Sequence, residues 1–126
     1  MYKLGSSERA DLPLAVVIGA GTMGMAVARR LAQRHRVLLA DIDGARAEER
    51  AAAMREEGCD VRAVACDVTD PAAVHALAVQ VAELGGLRTL AHVAGISPSL
   101  GDYGTIVRVN LMGVALVAEA LLPHAR

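Results

Sequence analysis

One stretch limits the fold more than any other. Val16–Asp43, VVIGAGTMGMAVARRLAQRHRVLLADID, sets a branched apolar run, a glycine turn, an amphipathic run, a second apolar run and an acid in that order. Glycine weakens any element it sits in, so a turn holding Gly19, Gly21 and Gly24 must need a backbone approach that a Cβ would block. In the G-x-G-x-x-G spacing between strand and helix, the first glycine makes the tight turn. The second admits a diphosphate to the backbone, and the third lets helix pack on strand. Thr22 and Met23 complete the turn, and the helix they open presents unpaired N–H groups and a positive dipole end that favour negative charge. A plain turn would also want glycine, but the acid tips the reading. Asp41 follows Gly21 by about twenty residues, the spacing at which a carboxylate accepts hydrogen bonds from an adenosine ribose, with Ile42 beside it. Asp43 reads as the cap of the next helix and Arg46 as a solvated helix residue. A 2′-phosphate would crowd Asp41, and no Lys or Arg occupies Ala20, Thr22 or Met23 to offset the charge, so NAD is expected over NADP.

The remaining elements alternate. Leu14–Gly19 reads as a strand buried on both faces, and Met23, Ala26, Val27, Ala28 and Leu31 as the apolar stripe of the first helix. His35–Asp41 is a second strand, Gly44 to Gly58 a helix with a glycine stop, and Cys59–Asp67 a third strand. Asp70-Pro71 caps and opens a helix with Val74, Leu77, Ala78 and Val81 inward; Leu87–Gly95 is the fourth strand. A last helix is predicted from about Thr105 to Leu122, stopping at Pro123. Strands alternating with helices imply right-handed βαβ crossovers and an α/β Rossmann-type doubly wound parallel sheet, with strand order 3-2-1-4 in the part present.

The chain's 126 residues suit one domain, expected over 13–126 with 1–12 as a flexible arm. A net charge of -1 offers no footprint for nucleic acid. Ile106–Leu122, interrupted by Arg108, Asn110 and Glu119, reads as too short for a membrane span, so no membrane partner is expected. Cys59 and Cys66 lack CxxC spacing and the histidines lack ligand spacing, which predicts no metal and a reducing, cytoplasmic setting.

Three further segments carry a family resemblance. CDVTD after strand three, HVAGIS after strand four and VRVNLMGVALVAEALLP in the last helix resemble the short-chain dehydrogenase/reductase family. The resemblance implies that Asp67 and Val68 hold the adenine, that Ala94 and Gly95 let the backbone lie against the cofactor, and that Asn110 belongs to the catalytic tetrad, positioning a water in its proton relay. It also implies an NAD-dependent oxidoreductase acting on a secondary alcohol or ketone, and a homo-oligomer packed through helix 105–122. The same residues have plainer readings as loop cap, turn and self-bonded helix polar group. The family's serine and Tyr-x-x-x-Lys motif are absent: Tyr2 and Tyr103 are followed four residues on by Ser6 and Val107, and the only lysine is Lys3. The chain is therefore expected to be the amino-terminal half of a larger dehydrogenase or a curtailed relative, inactive alone. Two alternatives stay open. One is a non-catalytic dinucleotide-binding module or sensor. The other is the cofactor domain of an enzyme like 3-hydroxyacyl-CoA dehydrogenase, whose turn GAGTMG resembles; the usual short-chain turn is one residue longer, with threonine where Ile18 stands.

Overall fold

The computed structural model describes residues 5–97 and 99–126. Four parallel strands, β1 (Leu14–Ile18), β2 (Arg36–Asp41), β3 (Val61–Ala65) and β4 (Thr89–His92), lie in the order β3-β2-β1-β4, as the alternation of elements predicts. β1 is buried throughout because helices cover both faces of the sheet, which is why its sequence is a continuous apolar run. Leu14, Val16 and Ile18 face one layer, where α4 (Pro71–Glu83) and α6 (Gly113–Leu121) supply Val74, Leu77, Val81, Val117 and Leu121. On the opposite face Val17 and Leu39 meet Met25 of α2 (Thr22–Leu31) and Ala47, Ala51 and Met54 of α3 (Gly44–Glu56).

Helix ends follow their sequence signals. Asp43 caps α3 by accepting from the Arg46 N–H, Asp70 caps α4 by accepting from the Ala72 N–H, and Gly58 turns the chain after α3 at φ 95°. The buried stripe of α4 is the predicted one.

Several expectations are corrected. The stripe of α2 is Gly24, Met25 and Ala28; Met23 is 72% exposed and Ala26 also faces solvent, because small residues all round this helix leave its phase to tertiary packing. Of the stretch expected to be a loose arm, Ser6–Ala10 forms a short helix, α1, and residues 1–4 lie outside the described residues. Strand four is shorter than Leu87–Gly95. Just before it, Leu87 exchanges hydrogen bonds with the His124 carbonyl and the Arg126 amide in an isolated parallel bridge at Ala125.

The last helix departs most. It begins at α5 (Tyr103–Val107), widens to a π-helical turn over Arg108–Met112, continues as α6 and tightens to 3-10 geometry over Leu122–His124. Together Tyr103–His124 make 22 residues, with a mean hydropathy of 1.7 over an 18-residue window, so length does not argue against a membrane span as the shorter predicted helix would. What ties it to the domain is packing: Gly113, Val117 and Leu121 are buried on the sheet. In the single subunit Leu111, Met112, Val114 and Leu122 stand exposed.

Candidate functional site

The carboxyl ends of the four strands open on a cleft of about 380 Å3. It lies where strand order reverses between β1 and β4, the crevice in which open parallel sheets bind ligands.

The glycine turn forms its floor. Gly19 sits at φ 109°, and a Cβ there would come within 2.9 Å of the Ala94 amide nitrogen. β4 can therefore run on past β1 while the Ile18 carbonyl accepts from both the Val93 and Ala94 N–H groups, each at 2.8 Å. Gly24 is closed to any side chain, since a Cβ would meet the Gly19 carbonyl oxygen at 1.7 Å. Gly21 is different: a Cβ there meets nothing within 4 Å, so its missing side chain leaves open cleft rather than relieving a protein contact. Gly21 is also the N-cap of α2, which has no side-chain cap and no acid in its first turn. The leading amides of α2 are thus left to whatever occupies the cleft, where the helix dipole favours an anion.

At the tip of β2, Asp41 is 5% exposed and fully engaged. Its Oδ2 accepts from the Ala20 N–H at 2.7 Å, its Oδ1 from the Asp43 N–H at 2.8 Å, and Arg46 Nη2 donates to both oxygens at 3.0 Å. Burial pushes this carboxyl up, but the two amides and the Arg46 guanidinium outweigh it and hold the group below the usual carboxylate range. The acid therefore ties the phosphate turn to the β2–α3 connection. Arg46, expected to be a solvated helix residue, is instead its ion-pair partner and lines the cleft.

The far wall comes from the segments after β3 and β4. Asp67 Oδ1 accepts from both the Thr69 N–H and hydroxyl, a local turn that presents Asp67 and Val68 to the cleft. Val68 is nearly buried beneath Gly113, where a Cβ would come within 2.7 Å of Val68 Cγ2. Cys66, also on the wall, is pushed up to about 11 by burial, with Asp67 and Asp70 adding to it, so it is a thiol and not a nucleophile.

The structure brings Gly19, Gly21, Thr22, Met23, Gly24, Asp41, Ile42, Asp67, Val68, Ala94 and Gly95 to this one cleft, with Met23 and Ile42 exposed at its rim. Asn110 is not on its surface. Its Oδ1 accepts from the Ile96 N–H and its Nδ2 donates to the Ile96 carbonyl, both at 2.8 Å, so the side chain clamps the π-helical turn to the loop after β4. Each polar atom keeps one further position, the second lone pair of Oδ1 and the second N–H of Nδ2. Asn110 positions the neighbouring wall, where Gly95 leaves room for its Oδ1 and Ile96 and Val109 line the cleft. Arg46, Cys66, Val93, Ile96 and Val109 were missed by sequence reasoning; only Arg46, the nearest base after Asp41, carried a signal that could have found it.

Residues 13–126 match the family model described as short chain dehydrogenase. The chain is 34% identical over 122 residues to 1-deoxy-11-beta-hydroxypentalenate dehydrogenase of Streptomyces arenae, covering 87% of this chain and 43% of that protein. In structure it is similar to an actinorhodin polyketide ketoreductase solved with NADPH, at TM-score 0.81 and 27% identity, covering 90% of this chain and 47% of the other. It is similar also to a short-chain dehydrogenase/reductase from Burkholderia phymatum in complex with NAD, at TM-score 0.77 and 30% identity, over 93% and 45%. The chain spans less than half the length of such curated relatives.

Proposed function

We propose, from the premise that this chain belongs to the short-chain dehydrogenase family, that it binds a nicotinamide dinucleotide in the cleft at the strand ends and serves hydride transfer to or from a small alcohol or ketone. Membership confines the likeness to 3-hydroxyacyl-CoA dehydrogenase to the glycine turn. The observation that carries the reading is the convergence of an uncapped helix N-terminus, an open Gly21 and an acid at the tip of β2. The diphosphate would meet the amides of Thr22 and Met23, the adenine would lie by Asp67 and Val68, and the nicotinamide end would run along Ala94 and Gly95. The dinucleotide supplies the hydride chemistry; these residues bind and orient it. NAD is the form that a carboxylate at the tip of β2, with no Lys or Arg in the turn, would read.

Proton transfer to the alcohol oxygen needs a titrating group within hydrogen-bond reach, and the family's serine and Tyr-x-x-x-Lys are not among residues 1–126. Ser97 and Ser99, hydroxyls 2.6 Å apart in the loop after β4, have no base beside them in the described structure. These 126 residues supply the cofactor-binding part of that chemistry. Titration calorimetry with NAD tests the binding claim. Gly21→Val places a branched side chain in open cleft, and should weaken NAD by at least about tenfold, or 1.4 kcal/mol, with the fold intact. Unchanged affinity would mean that the turn does not hold the diphosphate.

A further inference from the structure

Gly113 is a point of very close approach between the last helix and the wall of the cleft. The π-helical turn ends there, with the Gly113 N–H donating to the Arg108 carbonyl, and the glycine is buried against Val68. A Cβ on residue 113 would lie 2.7 Å from Val68 Cγ2 and 3.2 Å from Val68 Cβ. Carbon atoms in contact rest about 3.5–4.0 Å apart, so an added methyl is short of room by roughly 1 Å.

The backbone is held on each side of this contact. Around Val68, Asp67 Oδ1 accepts from the Thr69 N–H and hydroxyl, and the Asp70 N–H donates to the Asp67 carbonyl. The helix is fixed by the Asn110 clamp on Ile96 just before Gly113 and by buried Val117 one turn after it. What is left to move is the Val68 side chain. Valine is stiff at χ1 and steps between rotamers rather than bending. Its open side is the cleft, which it lines while only 6% exposed.

We propose that Gly113 is a positioning residue for the adenine end of the cleft: lacking a side chain, it keeps Val68 withdrawn beneath the helix and so sets the depth at which the adenine seats. The base is the part of the ligand that this contact governs, whereas the diphosphate and the nicotinamide lie along the glycine turn, Ala94 and Gly95. The proposal rests on the dinucleotide reading and goes beyond it, tying the last helix to cofactor affinity through packing alone.

Calorimetric titration of the full native polypeptide with NAD, adenosine monophosphate and nicotinamide mononucleotide, in the wild type, Gly113→Ala, Val68→Ala and the double variant, tests it. Gly113→Ala should weaken NAD and adenosine monophosphate by about tenfold or more, and leave nicotinamide mononucleotide within about threefold. In the Val68→Ala background, where the opposing methyls are gone, Gly113→Ala should change NAD affinity by less than about threefold, the non-additivity that a direct contact produces. Alanine is a better helix former than glycine, so helix propensity does not oppose the substitution. Should Gly113→Ala alone fail to fold, the Val68→Ala background carries the test: no loss of NAD there supports the contact, and a loss overturns it. NAD affinity unchanged by Gly113→Ala in the otherwise native chain means that the helix yields instead, and overturns the proposal. So does an equal loss for the two mononucleotides, which is general distortion and not a base effect. In each of these cases the dinucleotide reading survives. A wild type that binds no NAD overturns both.

Discussion

At the scale of single residues, the site depends on groups whose polar atoms are already spoken for, and one residue breaks that pattern. His92 ends β4 with both imidazole nitrogens buried and without a hydrogen-bond partner among the described residues. Burial pushes its pKa below the ordinary histidine value of 6.5, since a charged ring there would give up water for nothing. The consequence for stability has a definite sign. With the folded pKa below the unfolded one, the neutral ring contributes fully above about pH 6.5, and stability is lost as pH falls from there through the folded value. We expect the melting temperature of the native polypeptide to drop between pH 7 and pH 5. His92→Leu removes two unsatisfied buried atoms, and should both flatten that slope and raise stability at pH 7 by about 1 kcal/mol. Thermal melts across pH check this, and an equal slope in both proteins would place the acid sensitivity elsewhere.

At the scale of elements, the π-helical turn over Arg108–Met112 is the feature that most shapes the site and least shows in the sequence. Such a turn admits an extra residue per hydrogen-bonded ring, re-aiming a side chain without ending the helix. Here the re-aimed side chain is Asn110, whose grip on both polar groups of Ile96 fixes the loop after β4 against the helix. Asn110→Ala should cost about 1 kcal/mol, low for two hydrogen bonds because the clamp is exposed, and should speed amide exchange at Ile96 relative to β1. Exchange at Ile96 as slow as in the wild type would show that the loop is held by other contacts. The contrast with the other elements shows what a sequence reveals. Gly19, Gly24, Asp43 and Asp70 were legible because each answers a local backbone need at fixed spacing. No residue type marks a π-helical turn, and the small residues Gly24, Ala26 and Ala28 of α2 fit several helical phases, so Met25 was missed and Met23 misplaced. Arg46 was misread for a related reason: its partner lies across a turn, at a separation that no helix-face rule describes.

At the scale of the whole molecule, two surfaces are left that water covers poorly, and they ask for different partners. Beyond the bridge at Ala125, the outer edge of β4 offers main-chain groups, which another strand satisfies by parallel pairing. The face of the last helix offers side chains instead: Leu111, Met112 and Leu122 are each more than half exposed. Side-chain packing, not strand pairing, covers such a face, and a second copy of the same helix does so with twofold economy because each copy buries the other's residues. We therefore expect a homodimer through this helix in the native polypeptide. Burying a leucine contributes about 1.5–3 kcal/mol, and a twofold interface counts it twice. Leu111→Glu, 63% exposed in the single subunit and so harmless to its fold, should weaken dimerisation by on the order of 100-fold or more. Light scattering after size exclusion reads the outcome directly: a mass halved by the substitution, with NAD affinity retained, places the dimer seam on this helix. A dimeric mass unchanged by the substitution places the seam on another surface, and a monomeric wild type at micromolar concentration removes the dimer altogether.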